Sequence, residues 1–238
     1  MKISSISDIH IYEDMDERAE LLDKFLNSDE VAQSDIVILL GDIFDMMVGN
    51  KSQYLDKYKE TLLKIKKTCI NKKLVYISGN HDFSLGKILR DYFSSLDFQY
   101  SQEPIVIIDN AQRIYLSHGD EVDTQDIAYK RWKAIYSNIY FQKAVDILLP
   151  FKFISMLGKD ASSKSKKRNN KEFDYDKAQE NYGLLLSSFK ERVVADKYIL
   201  GHTHIKYNDK TIANNGFPLQ HNCFVHYNGS ELELVDLG

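Results

Sequence analysis

At 238 residues the chain can bury a sizeable core, and one domain with an insertion suits that length better than two. A net charge of −4, with 28% charged residues, argues against a general nucleic-acid binder, which needs a strongly basic face. Two cysteines, Cys69 and Cys223, stand far apart and in no metal-ligand spacing, so a disulfide framework is not expected and a reducing compartment fits better.

Lys2–Ser7 alternates polar and apolar residues and runs straight into a polar motif, with no secretory leader pattern. Further strands are expected at Asp35–Leu40, Lys73–Ser78, Arg113–Ser117 and Lys197–Leu200, all short β-branched or aromatic runs. Helical patterns lie between them at Asp16–Asn27, Gln53–Cys69 and Leu85–Tyr92. Ile105–Asp109 pairs naturally with Arg113–Ser117 across Asn110–Ala111. Cys223–Tyr227 and Glu231–Val235 form a second hairpin, where Asn228-Gly229 supplies the positive φ of a tight turn.

From Thr124 to about Arg192 the pattern is helical throughout. Ile127, Trp132, Ile135, Tyr136, Ile139, Tyr140 and Leu148 recur at helical spacing as one apolar stripe, and core packing is its simplest reading. Lys159–Lys171 carries six basic residues against one acidic and reads as a solvated loop. The longest apolar stretch, Val145 to Leu157, is interrupted by Asp146, Pro150 and Lys152 and is too short to span a bilayer. A soluble cytoplasmic protein is expected.

Each of the five expected strands ends in a polar motif: Asp8-Ile9-His10, Gly41-Asp42, Gly79-Asn80-His81-Asp82, His118-Gly119-Asp120 and Gly201-His202-Thr203-His204. Strand ends of an α/β sheet converge on one edge, where ligand crevices form. Any one motif reads as well as a cap, a turn or a satisfied buried histidine. Together they hold five of the seven histidines, while His221 and His226 fall outside them and read as structural. Carboxylate, imidazole and amide donors suit Mn²⁺, Fe²⁺ or Zn²⁺ and do not make a thiolate site.

The series D-x-H, G-D-x-x-D, G-N-H-D, H-G-D, G-H-T-H resembles the calcineurin-like metallophosphoesterase family over nearly the whole chain. The resemblance implies a four-layer α/β/β/α sandwich of two mixed sheets. It also implies a single domain, 1–238, with a helical cap insertion at about 124–192. Asp8, His10, Asp42 and His204 would hold one divalent metal; Asp42, Asn80, His118 and His202 would hold the other, with Asp42 bridging. Two cations, Mn²⁺ above all, would lower the pKa of a shared water towards about 7 and give a hydroxide nucleophile. His81 would protonate the leaving oxygen, with Asp82 orienting its imidazole. A non-catalytic scaffold should lack ligands, and here all seven are in place.

A narrower likeness surrounds these motifs. His118–Trp132, the run Gly79–Gly86, the helical insertion and the Ser163-Lys164 basic segment are similar to UDP-2,3-diacylglucosamine pyrophosphohydrolases of lipid A synthesis. That likeness implies cleavage of a lipid-linked sugar nucleotide to UMP and a diacylglucosamine 1-phosphate under a helical cap. Asp126, Ser163 and Lys171 would contact the substrate. Peripheral contact with the cytoplasmic face of the inner membrane would follow from a two-chain lipid. His81 stands where several of those enzymes carry arginine, which leaves open a phosphodiesterase or phosphatase acting on nucleotides or another phosphoester.

Overall fold

A computed structural model of the chain describes residues 1–123, 127–151 and 175–238. Alternation along the strands builds its layers. In β2 (Ile36–Leu40), Ile36, Ile38 and Leu40 face one way, and Val37 and Leu39 the other. In β3 (Lys73–Ile77), Val75 and Ile77 share the first face, and Leu74 and Tyr76 the second. A period of two is what a pleated strand imposes, and apolar residues on both faces demand cover on both sides.

The cover differs between the two faces. β1 (Ile3–Ile6), β2, β3 and β4 (Asp97–Ser101) run parallel. With the antiparallel pair β10 (Cys223–Tyr227) and β11 (Leu232–Asp236) they make a six-stranded sheet in the order β11-β10-β1-β2-β3-β4. α1 (Glu17–Leu26), α4 (Lys59–Thr68) and α5 (Gly86–Tyr92) bury Leu22, Phe25, Leu62, Ile65 and Leu89 on its outer face. Its inner face meets a second sheet, which comprises β5 (Ile105–Asp109), β6 (Gln112–Leu116), β7 (Lys197–Leu200), β8 (Lys206–Asn208) and β9 (Ile212–Asn215) in the order β5-β6-β7-β9-β8. Ile114, Leu116, Ile199 and Ala213 fill the space between the sheets. α8 (Tyr175–Arg192) covers the far side, with Tyr182, Leu186 and Phe189 against Tyr115, Tyr198 and Leu200. Each fully buried Leu, Ile or Phe contributes about 1.5–3 kcal/mol, so the four-layer sandwich of two mixed sheets is held chiefly by its interfaces.

Several local features depart from the sequence reading. Gln53–Cys69 is not one helix: α3 (Gln53–Lys57) stops at Tyr58 and α4 starts afresh. Asp14 causes the restart, because its carboxylate accepts from Glu60 N, Thr61 N and Thr61 Oγ1 and so caps the new N-terminus from another loop. The β5–β6 hairpin turns across Asn110 and Ala111 as expected, and both residues hold positive φ. The C-terminal hairpin uses four connecting residues, with Asn228 Oδ1 accepting from Ser230 N and Glu231 N. β4, β8, β9 and two short helices, Asp29–Gln33 and Pro218–His221, carry too few apolar residues to announce themselves.

The apolar stripe is not core. It lies on α6 (Ile127–Tyr136) and α7 (Ile139–Leu148), and of its seven members only Tyr136 is buried, at 7% exposure, while Tyr140 and Leu148 stand 77% and 72% exposed. Periodicity marks a common face; it does not say what covers that face. No helix among the described residues is long and apolar enough to cross a membrane.

Candidate metal centre

The motif loops leave the carboxyl ends of β1, β2, β3, β6 and β7 and converge where the two sheets meet. Local backbone turns the donors inward. Asp8, His10, Asp42, His202 and His204 all hold φ between 53° and 70°, a region that costs non-glycine residues energy and that clusters at functional sites. Gly79 serves by its lack of a side chain: a Cβ there would lie 2.7 Å from Asp42 N, so only glycine lets the β3 loop close on the β2 loop.

Asp42, 2% exposed, sits between two histidines, with its Oδ2 3.8 Å from His10 Nε2 and 3.6 Å from His118 Nε2. Its Oδ1 accepts from His81 N at 2.8 Å. Asp8 Oδ2 accepts from His202 N at 2.9 Å, while Asp8 Oδ1 lies 3.4 Å from His204 Nε2. His118 Nδ1 donates to Leu40 O at 3.0 Å, which fixes the tautomer and turns Nε2 toward Asp42. The closest nitrogen pairs are His10 with His204 at 3.3 Å and His202 with His118 at 3.2 Å.

These donors fit cations. Two nitrogens held by one ion at about 2.1 Å each stand about 3.0–3.4 Å apart, which is the spacing of both pairs. Asp8 Oδ1 and Asn80 Oδ1 are buried with no hydrogen-bond partner, a costly state that a metal would relieve. Compact donor sets form from Asp8, His10 and His204, and from Asp8, Asp42 and His118. Burial pushes His10 down to about 3; burial and the neighbouring His118 push His202 down to about 4, so both offer neutral lone pairs. His118 moves the other way: burial opposes its charge, but Asp42 beside it holds the imidazole protonated well above the usual range.

His81 Nδ1 lies 3.1 Å from Asp45 Oδ1. Burial alone would lower this imidazole, yet the carboxylate of Asp42 and the bond to Asp45 outweigh it and push it up to about 9. The side-chain contact with His81 that the sequence reading expected of Asp82 is made instead by Asp45, the second aspartate of G-D-x-x-D. Asp82, fully buried, ties loops together instead: Oδ2 accepts from Ile43 N at 2.7 Å and Tyr76 OH at 2.6 Å, and Oδ1 from Gly79 N at 2.7 Å.

Sequence reasoning also passed over Asn214 and Asn215. Asn215 bonds Ser7 through both N and O, and Asn214 Nδ2 donates to Gly201 O, so one buried pair steadies the β1 and β7 loops. Phe217 stacks on the His204 ring at 5.1 Å. His226 is structural as expected, bonded to Ser4 Oγ, and His221 Nδ1 accepts from Phe217 N. Asp126, Ser163 and Lys171 lie outside the described residues.

α6 flanks the centre. Lys133 Nζ is 2.7 Å from Asp120 Oδ2, and Tyr136 OH donates to the same oxygen at 3.4 Å, which brings this helix against the His118-Gly119-Asp120 loop.

The chain is similar to several known proteins. The chain is 29% identical over 205 residues to UDP-2,3-diacylglucosamine hydrolase of Neisseria gonorrhoeae, covering 84% of this chain and 80% of that one. It is 27% identical to the enzyme of the same name from Psychromonas ingrahamii, over 86% of this chain and 81% of that one. A solved archaeal phosphodiesterase shares the fold, with a TM-score of 0.50 at 13% identity over 99% of both chains. The sequence profile of the calcineurin-like phosphoesterases matches residues 1–206, and the chain belongs to that family of metal-dependent hydrolases.

Proposed function

We propose that the chain hydrolyses the pyrophosphate of UDP-2,3-diacylglucosamine, releasing UMP and 2,3-diacylglucosamine 1-phosphate, with Mn²⁺ as its metal. The reaction type rests on one observation above the others: the closely spaced histidine pairs His10–His204 and His202–His118, together with Asp8 Oδ1 and Asn80 Oδ1, both buried without a hydrogen-bond partner. Asp8, His10, Asp42 and His204 would hold one cation, and Asp42, Asn80, His118 and His202 the other. Bound there, divalent cations supply Lewis acidity toward phosphate oxygens and lower the pKa of water at the site. The chain's own residues do the rest. Asp42 fixes the His81 loop through His81 N, and Asp45 Oδ1, 3.1 Å from His81 Nδ1, orients the imidazole to give a proton to the departing oxygen.

The substrate reading is supported by the relatives' names and by α6 and α7. These helices stand beside the centre and expose Ile135, Ile139, Tyr140, Ile147 and Leu148, a surface suited to acyl chains or to the edge of a bilayer. That surface also supports peripheral contact with the cytoplasmic face of the inner membrane. Asp126, Ser163 and Lys171 are proposed substrate contacts.

The test is Mn²⁺-dependent hydrolysis of UDP-2,3-diacylglucosamine and of bis-p-nitrophenyl phosphate by wild type and Asp42→Ala. Release of UMP by wild type and not by the variant is expected. Hydrolysis of the generic diester alone would keep the metal centre and move the chain to a phosphodiesterase of other specificity, the reading that His81 in place of arginine favours.

A further inference from the structure

The α6–α7 pair has a thin apolar footing on the rest of the molecule, where Tyr136 and Val145 pack with Val48 and Phe83. Lys133 and Tyr136 tie α6 to Asp120, and two polar anchors hold α7. Gln142 Nε2 donates to Gln102 Oε1 at 2.9 Å. The second anchor is charged: Asp146 Oδ1 accepts from Asn50 N at 2.8 Å, Asp146 Oδ2 from Asn50 Nδ2 at 3.1 Å, and Asp146 O from Lys51 Nζ at 2.5 Å. Gly49 makes room for it, because a Cβ there would lie 2.5 Å from Asp146 Oδ1.

Asn50 works at both ends of its amide. While Nδ2 reaches Asp146, Oδ1 accepts from Lys87 N and Ile88 N at 3.0 Å each. Those are orphan donors in the first turn of α5, whose preceding residue, Leu85, provides no side-chain cap. α5 follows the Gly79-Asn80-His81-Asp82 loop, and Gly49 N donates to Phe83 O at 3.1 Å. One side chain thus joins α7, the segment after Asp45 and the helix after His81.

We propose that Asn50 and Asp146 form a latch that positions the α6–α7 pair over the metal loops and so sets how an extended substrate is seated. The proposal rests on reading α6 and α7 as a substrate cap. Asn50 and Asp146 are positioning residues: they touch neither a metal donor nor the reacting atoms. A small diester that needs no cap is indifferent to the latch, and a lipid-linked substrate is not.

The two groups permit an exchange experiment. Asn50→Asp keeps the α5 cap and sets a carboxylate against Asp146. Asp146→Asn keeps an acceptor for Asn50 N and sets two amide NH₂ groups face to face. The double variant Asn50→Asp/Asp146→Asn exchanges amide and carboxylate and restores one donor–acceptor pair, with the same net charge as wild type. Interaction between contacting residues is what such a cycle isolates.

Backbone hydrogen exchange of residues 139–148 reads the latch with no substrate present. Each single variant is expected to exchange about tenfold faster there, and the double variant to return toward wild type. With UDP-2,3-diacylglucosamine, the single variants are expected to raise KM about tenfold, while kcat for bis-p-nitrophenyl phosphate holds and the double variant recovers KM. Unchanged exchange in both single variants, or a double variant no better than they are, overturns the latch. Faster exchange with an unchanged KM for the lipid overturns its positioning role. If wild type does not turn over that lipid, the substrate reading fails, and the latch is decided by the exchange cycle alone.

Discussion

Replacing Asp82 separates the support of the site from its chemistry. Its carboxylate accepts from Ile43 N, Tyr76 OH and Gly79 N at 2.6–2.7 Å and is fully buried, so no water stands ready to take over. Asparagine keeps one acceptor and turns an NH₂ toward either Ile43 N or Gly79 N, whichever way the amide lies. One orphaned buried donor costs about 1–3 kcal/mol. Alanine orphans all three and should cost about 3–5 kcal/mol, a large share of a typical domain's stability. Urea denaturation of the metal-free protein, at constant m-value, measures both. The expected order is Ala worse than Asn worse than wild type. Asp82→Ala within about 1 kcal/mol of wild type would refute the clamp, because the orphaned N–H groups must then have found other partners.

Further outcomes follow from the same geometry. Asp45→Asn should lower kcat about 10–100-fold on esters with poor leaving groups and much less on p-nitrophenyl esters, whose departing oxygen needs no proton. In the metal-free protein the His81 ring should titrate near 9, and NMR of that ring should find a lower value in Asp45→Asn. Because this folded pKa is raised, the stability it brings is full below the unfolded value of about 6.5 and is lost as pH rises through about 9, which denaturation across that range should follow. Adding Mn²⁺ to chelator-treated protein should raise Tm, by about 2.7 kcal/mol of linkage at a hundred times Kd, and Asp42→Asn should remove most of that gain.

The legible parts of this molecule are those where an apolar run meets a polar motif. Ile36–Leu40 followed by Gly41-Asp42 declares a buried strand and a donor at its end, and β1, β3, β6 and β7 read the same way. β9 (IANN) is a strand because β7 offers it an edge, and β8 (KYN) because β9 does in turn; nothing in their own composition demands it. The break at Tyr58 was invisible because its cap, Asp14, sits 46 residues from Glu60. Asp45 stood in plain view inside G-D-x-x-D, yet its service to His81 is a contact across two loops, and spacing along the chain does not report such contacts. The exposed stripe on α6 and α7 teaches the reverse lesson: amphipathic spacing was read correctly as a face and wrongly as a core.

Five of the seven residues proposed to hold the cations sit in the left-handed backbone region, at about 1 kcal/mol each for a residue with a side chain. The consequence is an order of assembly. The sheets gain most of their energy from Ile, Val and Leu at the interfaces, whereas the donor positions stay strained until something rewards the strain. Without cations, the chain should close as a finished scaffold with a loosely held rim, residues 8–10, 41–42 and 201–204 exchanging their amides before β1, β2 or β7 do. Cation binding would then complete the fold at the same positions that would serve the chemistry.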